Sequence, residues 1–248
     1  MKTFIPFAIF ILFLIAVQFA SGKTVDDIIE AYEAARGGKE KLAAIKTIYM
    51  EGNRKTGGNE IAVKITKEQG KLSRTAFETG EKNAVKLLTE KEGWNYYSAQ
   101  MQQPEKITGQ GVELWKTDLD IAGPLVDYPA KEHKVELLGK EMVGSNNCYK
   151  LKLIPTSGAA ITYWIDTGSY LLLQSSVTAD RIIATGGGNS QQPTEITLYK
   201  DYKWVDGVLF PHTIETFNSA GENGNGSSIT FGKIEINQPV DGKLYHPE

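Results

Sequence analysis

Three histidines, His133, His212 and His246, are the first candidates for metal or acid–base chemistry, and each stands alone in the sequence. No two have the spacing that sets a pair of imidazoles on one side of a helix or strand, so no metal site and no cofactor is expected. His212 shares a strand face with Phe210 and Ile214, the setting of a hydrogen-bonded structural histidine. The single cysteine, Cys148, excludes an internal disulfide and reads as a small apolar strand residue. Asp118 and Asp120 supply too few oxygens for a calcium loop. Carboxylate pairs of the glycosidase kind are assembled by the fold and leave no signature in spacing. The glycines at 186–188 lack the lysine and following helix of a phosphate cradle, and no Gly-x-Ser-x-Gly elbow is present. The expectation is a protein that is not an enzyme, with an unrecognised hydrolase as the third reading.

Binding remains, and one stretch bears on it. Residues 112–128 place Leu114, Trp115, Leu119, Ile121, Leu125 and Val126 in an insert between two long runs of strand-like sequence. Gly123 and Pro124 break any helix or strand that would cross it. So many large apolar groups in a segment without regular structure predict a lid that plugs a hollow. Candidate ligand-binding residues are therefore the lid's Leu119, Ile121, Leu125 and Val126, with the strand aromatics Tyr49, Trp94, Tyr96 and Trp164. The aromatics Trp94, Tyr96, Trp115, Tyr163 and Trp164 fit stacking on sugar rings and plain core packing equally well.

The elements that must position these residues follow from periodicity. Thr24 with Asp27 three residues on is a helix start, and Val25, Ile28, Ile29, Tyr32 and Ala35 recur on one helical stripe until Gly37 and Gly38 stop it. A second short helical stretch is expected over 39–45. From Thr47 the period becomes two, through Ile48 and Met50, Ile61, Val63 and Ile65, then Val85 and Leu87, with glycine-containing turns between. Alternation resumes at His133 and runs over 148–154, 160–165, 170–177, 195–204, 208–217 and 229–236. Residues 185–193 read as a long hairpin loop. The prediction is a mainly β protein with some α: a strongly curved antiparallel sheet, an incomplete β-barrel, with an N-terminal helix and a short helical or irregular lid over its concave face. Both faces of several strands are apolar, and the helix is expected on one face with the insert on the other.

With 41% hydrophobic and 23% charged residues the chain has the composition of a soluble globular protein. Residues 1–22 read as a signal peptide, because a lysine precedes an apolar run and Ala20 and Gly22 are small residues placed for cleavage. An uncleaved anchor is the alternative, which Pro6 and the shortness of the run weigh against. Residues 23–248 then form one exported domain with no cysteine at the cleavage point to accept a lipid. The net charge of −3 and the absence of basic clusters exclude nucleic acid as a partner.

The order of parts resembles the lipoprotein-localisation factor family, the LolA/LolB-like outer-membrane lipoprotein-sorting proteins. The resemblance rests on residues 25–32, Gly37 to Glu40 with Leu42 and Ile45, residues 49–52, Glu92 to Trp94, residues 118–128, and residues 149–152 followed by 163–166. It implies an apolar cavity that shelters acyl chains of lipoproteins or another lipid-like ligand in the periplasm. It further implies membrane-associated donor and acceptor proteins, and the chain is expected to be a monomer. The competing reading is a non-catalytic module that binds a partner or polymer and uses the same fold with a filled core.

Overall fold

A computed structural model describes residues 22–79, 82–107, 112–113, 115–156, 159–178, 194–218 and 226–247. All of the expected signal over 1–22 except Gly22, together with Leu114, the turns at Gly80, at 157–158 and at 221–225, and the loop over 185–193, lies outside the described residues.

Helix α1 (Val25–Ala35) begins at a capping box in which the Asp27 amide donates to the Thr24 hydroxyl and the Thr24 amide to the Asp27 carboxylate. Its buried stripe is Ile28, Ile29, Tyr32 and Glu33. Gly37 then sits at φ +114°, where a Cβ would overlap the carbonyl of Gly207, so the helix end can approach the sheet only with glycine here. A short helix α2 (Lys39–Ala43) follows and buries Leu42.

Thirteen strands follow among the described residues. These are β1 (Thr47–Thr56), β2 (Asn59–Glu68), β3 (Leu72–Thr79), β4 (Lys82–Thr89), β5 (Gly93–Tyr97), β6 (Glu105–Ile107), β7 (Lys134–Val143), β8 (Asn146–Ile154), β9 (Ile161–Asp166), β10 (Leu172–Thr178), β11 (Thr194–Val205), β12 (Val208–Asn218) and β13 (Ser227–Ile236). They form one antiparallel sheet, not closed into a barrel, in the order β6-β5-β4-β3-β2-β1-β13-β12-β11-β10-β9-β8-β7. Two meanders are thus joined by pairing of the first strand with the last. The strands on either side of the insert, β6 and β7, are the two outermost of the sheet, and the described residues 112–113 and 115–133 cross its inner face.

The sheet has an inner and an outer face. Ile48, Met50 and Ile65 face inward with Ile234 and Ile236, and by register so do Lys86, Tyr163, Tyr199 and Ile214. Helix α1 and the insert both pack on that inner face: Ile28, Ile29 and Tyr32 share one core cluster with Leu125, Val126, Leu151, Ile165 and Phe210. The expectation of a helix on one face and the insert on the other is corrected here. What covers the outer face of β3 to β5 is the chain end, where Val240, Leu244 and Tyr245 pack on Leu72, Val85 and Leu87 in a cluster that Trp94 and Tyr96 also join. The Tyr245 hydroxyl donates to Glu68, and Arg74 donates to the carbonyl of His246.

Candidate functional site

The insert is a chain of tight turns. A 3-10 turn over Lys116–Leu119 leads into bonds from Gly123 N to Asp120 O, Val126 N to Gly123 O and Ala130 N to Asp127 O, with Gly123 at φ +91°. Successive turns pair several backbone groups that no strand or helix satisfies where the apolar side chains cross the hollow. The lid is fastened on two sides. Toward β2 and β3, Gly70 N donates to Leu119 O, Ile121 N to the Gln69 side chain, and Lys67 Nζ to Asp118 O. Toward α1, Arg36 donates to Ala122 O, Asp127 N to the buried Glu33 carboxylate, and the Tyr128 hydroxyl to Asp26.

Between lid, helix and sheet lies a cavity of about 250 Å³. Ile48, Met50, Leu172, Phe210 and Ile214 form its apolar wall, Ile121, Pro124 and Leu125 its roof, and Tyr32, Tyr163, Tyr199 and Tyr202 bring hydroxyls to it. Residues of β2 and β9 line the same space although six strand spacings, about 29 Å in a flat sheet, separate those strands. The sheet is therefore wrapped around the cavity. Tyr199 bonds to Ser175 at 3.0 Å, and burial pushes its hydroxyl up to about 12. Tyr202 donates to Leu172 O at 2.7 Å, and burial raises both Tyr202 and Tyr163. These hydroxyls stay neutral at any physiological pH.

Lys86, partly exposed, meets the lid at Trp115 and Asp118. Its ammonium lies over the Trp115 ring and 3.9 Å from Asp118. Burial lowers it to about 8, while Asp118 and Glu195 act in the opposite direction and Lys67 adds to the lowering. On the other side of Pro124 is a polar cleft of about 510 Å³, lined by Gln69, Glu90, Lys116, Asp120, Lys131 and His133 among others. Within it Lys131 pairs with Asp120 at 2.6 Å, and burial together with Lys131 keeps His133 below its ordinary value. The smaller, more apolar cavity is the better candidate for a ligand.

The eight residues singled out from sequence separate into two groups. Ile121 and Leu125 line the cavity, Val126 is buried in the main core, and Leu119 packs against Leu88 and Val112 beneath the lid. Tyr49, Trp94, Tyr96 and Trp164 are on the outer face, away from the cavity, because each alternates with an inward neighbour such as Ile48 or Tyr163. The Tyr49 hydroxyl donates to Glu51, Trp94 and Tyr96 lie under the chain end, and Lys150 covers the Trp164 ring. The polar cavity-lining residues outside that candidate set include Arg36 and the tyrosines 32, 163, 199 and 202. Tyr32 was legible as part of the helix stripe, whereas nothing local marks the others as cavity-facing. His212 is buried with Nδ1 3.2 Å from Phe210 O, and no group of three or more metal-capable side chains occurs among the described residues. No helix among them is long and apolar enough to cross a membrane.

The structure is similar to a LolA superfamily protein of Nitrosomonas europaea, at 13% identity over 90% of this chain and 98% of that one, with a TM-score of 0.57. A DUF1329 family protein of Desulfovibrio piger, 14% identical over 91% of this chain and 98% of its own, gives the same score. An outer membrane lipoprotein-sorting protein domain of Vibrio parahaemolyticus is 14% identical over 90% and 97%, with a score of 0.54. None of the curated proteins matches the sequence. A family model described as an uncharacterized protein matches residues 67–248. The chain belongs to that family, and its fold is that of the LolA superfamily.

Proposed function

We propose that the protein is a non-enzymatic periplasmic carrier or sensor that holds the acyl chain of a lipoprotein, or another lipid-like ligand, in the cavity under the lid. In this reading residues 1–22 direct export and are removed, and residues 23–248 work as one monomeric domain that meets membrane-associated donor and acceptor proteins. The observation that carries it is an apolar, lidded cavity on the wrapped face of the sheet, roofed by Ile121, Pro124 and Leu125.

Magnitudes support a lid that competes with its ligand. Each buried methylene contributes about 0.8 kcal/mol, so a dozen carbons would gain on the order of 10 kcal/mol, too much for easy release from a hollow otherwise filled with water. Leu125 and Val126, 2% and 1% exposed, already occupy the hollow, so a ligand gains only the difference. The same burial favours the second reading, a partner-binding module whose core is permanently filled. Native mass spectrometry and lipid extraction of the protein purified from its own periplasm separate the two. A carrier brings acyl species with it; repeated recovery of bare protein, together with no binding of a fluorescent fatty acid, would leave the filled-core module.

A further inference from the structure

The cavity has an electrostatic bias that its apolar wall does not require. Among its lining residues are two cations, Arg36 and Lys67, and no aspartate or glutamate. Arg36 is only 8% exposed and permanently charged, yet its described partners are neutral oxygens, the Tyr32 hydroxyl at 2.6 Å and Ala122 O at 3.1 Å. Lys67 donates to another neutral oxygen, Asp118 O, at 3.0 Å. Neither cation belongs to an ion pair among the described residues, and the buried Glu33 one turn before Arg36 accepts the Asp127 amide instead. A buried guanidinium without a counter-ion is costly, and a protein of net charge −3 has ample carboxylates with which to neutralise it.

We propose that the cavity's ligand is an anionic amphiphile whose carboxylate or phosphate head is held by Arg36, with Tyr32 and Lys67 beside it, while its tail lies along Met50, Leu125 and Ile214. This rests on the carrier reading and narrows it to ligands with a negatively charged head. The geometry suits the role. Arg36 follows the last residue of α1, and its own carbonyl accepts the Leu209 amide, so the guanidinium is set from a fixed base. Nη1 is occupied by Tyr32 and Ala122, and the guanidinium has three further N–H donors for a planar or tetrahedral anion. The Tyr32 oxygen accepts from Arg36, which leaves its proton to donate to the same anion.

Three probes with one tail, dodecanoate, dodecyl phosphate and dodecanol, test this by titration of the full mature chain below their micellar concentrations. The expected result is that one or both anions bind about 10- to 100-fold more tightly than the alcohol, the range for a hydrogen bond to a charged group, and that the preference shrinks with added salt. Arg36→Met should collapse the preference, and Lys67→Met should reduce it. Because Arg36 also ties α1 to the lid, the preference in the unsubstituted protein carries the proposal by itself. Preference for the phosphate alone assigns a phospholipid-type head, and preference for the carboxylate alone a fatty acid. Dodecanol binding as tightly as both anions would overturn the head-group assignment and leave the carrier reading standing. If none of the three binds, the carrier reading falls and the head group with it.

Discussion

Replacing Lys86 with methionine should make the protein more stable, and by an amount that depends on pH. In the fold, burial lowers this amine from 10.5 to about 8, which corresponds to about 3 kcal/mol of unfavourable free energy while the group is charged. The side chain keeps 29% of its surface exposed, so that figure is an upper value, and loss of the contact with the Trp115 ring offsets about 0.5–1 kcal/mol of the gain. Below pH 8 both folded and unfolded chains hold the proton and the full penalty applies. Between pH 8 and 10.5 the unfolded chain holds a proton that the folded one has released, so stability rises with pH; above 10.5 the penalty is gone. Lys86→Met should therefore be about 2 kcal/mol more stable than the parent at pH 7, with the advantage fading through pH 8–10. Urea unfolding of both proteins at four pH values measures this as a difference. Tyr49, Tyr199 and Tyr245, each raised to about 12, make the fold less stable above pH 10, but they are common to both proteins and cancel. A difference that is flat from pH 7 to 10, or a variant less stable at pH 7, would refute the argument that desolvation outweighs Asp118 and Trp115.

Leu125→Asp should lower stability by roughly 3–5 kcal/mol, because it buries a carboxylate where a leucine is 2% exposed, and should raise binding of a fluorescent fatty acid as the lid loosens. Unchanged melting would show that the lid is not packed in the hollow. Gly37→Ala adds a Cβ against the Gly207 carbonyl at a φ that disfavours side chains, and denaturant unfolding should record a loss of about 2 kcal/mol or more. Removal of residues 239–248 uncovers Leu72, Leu87 and Trp94, which should red-shift tryptophan emission and cost about 2–4 kcal/mol; an unchanged spectrum would refute the packing of the chain end.

The periodicities carried the elements well. The capping box at Thr24, the alternation over β8 to β13 and the turn chemistry around Gly123 are local signals, and the structure places a helix, strands and a lid there. Which way each strand faces was less legible. On β4, Val85, Lys86 and Leu87 suggest that the lysine looks to solvent, yet Lys86 points under the lid while Val85 and Leu87 lie beneath the chain end. Alternation reports a face only when one side is wet. Here both sides of β4 are covered, and the cover on the outer side comes from Val240, Leu244 and Tyr245, too sparse to read as a core segment. The same ambiguity put Trp94, Tyr96 and Trp164 among the ligand candidates. Arg36 escaped notice because a cation closing a helix is common, and only the tertiary structure shows that it borders an apolar cavity.

Pairing of β1 with β13 has a consequence for how the molecule comes into being. Ile48 meets Ile236 across most of the length of the sequence, whereas every other strand pair among the described residues joins strands consecutive in the chain. The two meanders can form as hairpins close on one another, but the seam between them is a contact of very high order, and its loop-closure entropy is met only when the last strand arrives. Until then β1 and the inner ends of the second meander present unpaired backbone edges, and the cavity, whose walls come from both halves, does not exist. Assembly of the seam should thus be the slow phase of folding, and a chain interrupted before Ser227 would be a pair of adhesive half-sheets that enclose no cavity.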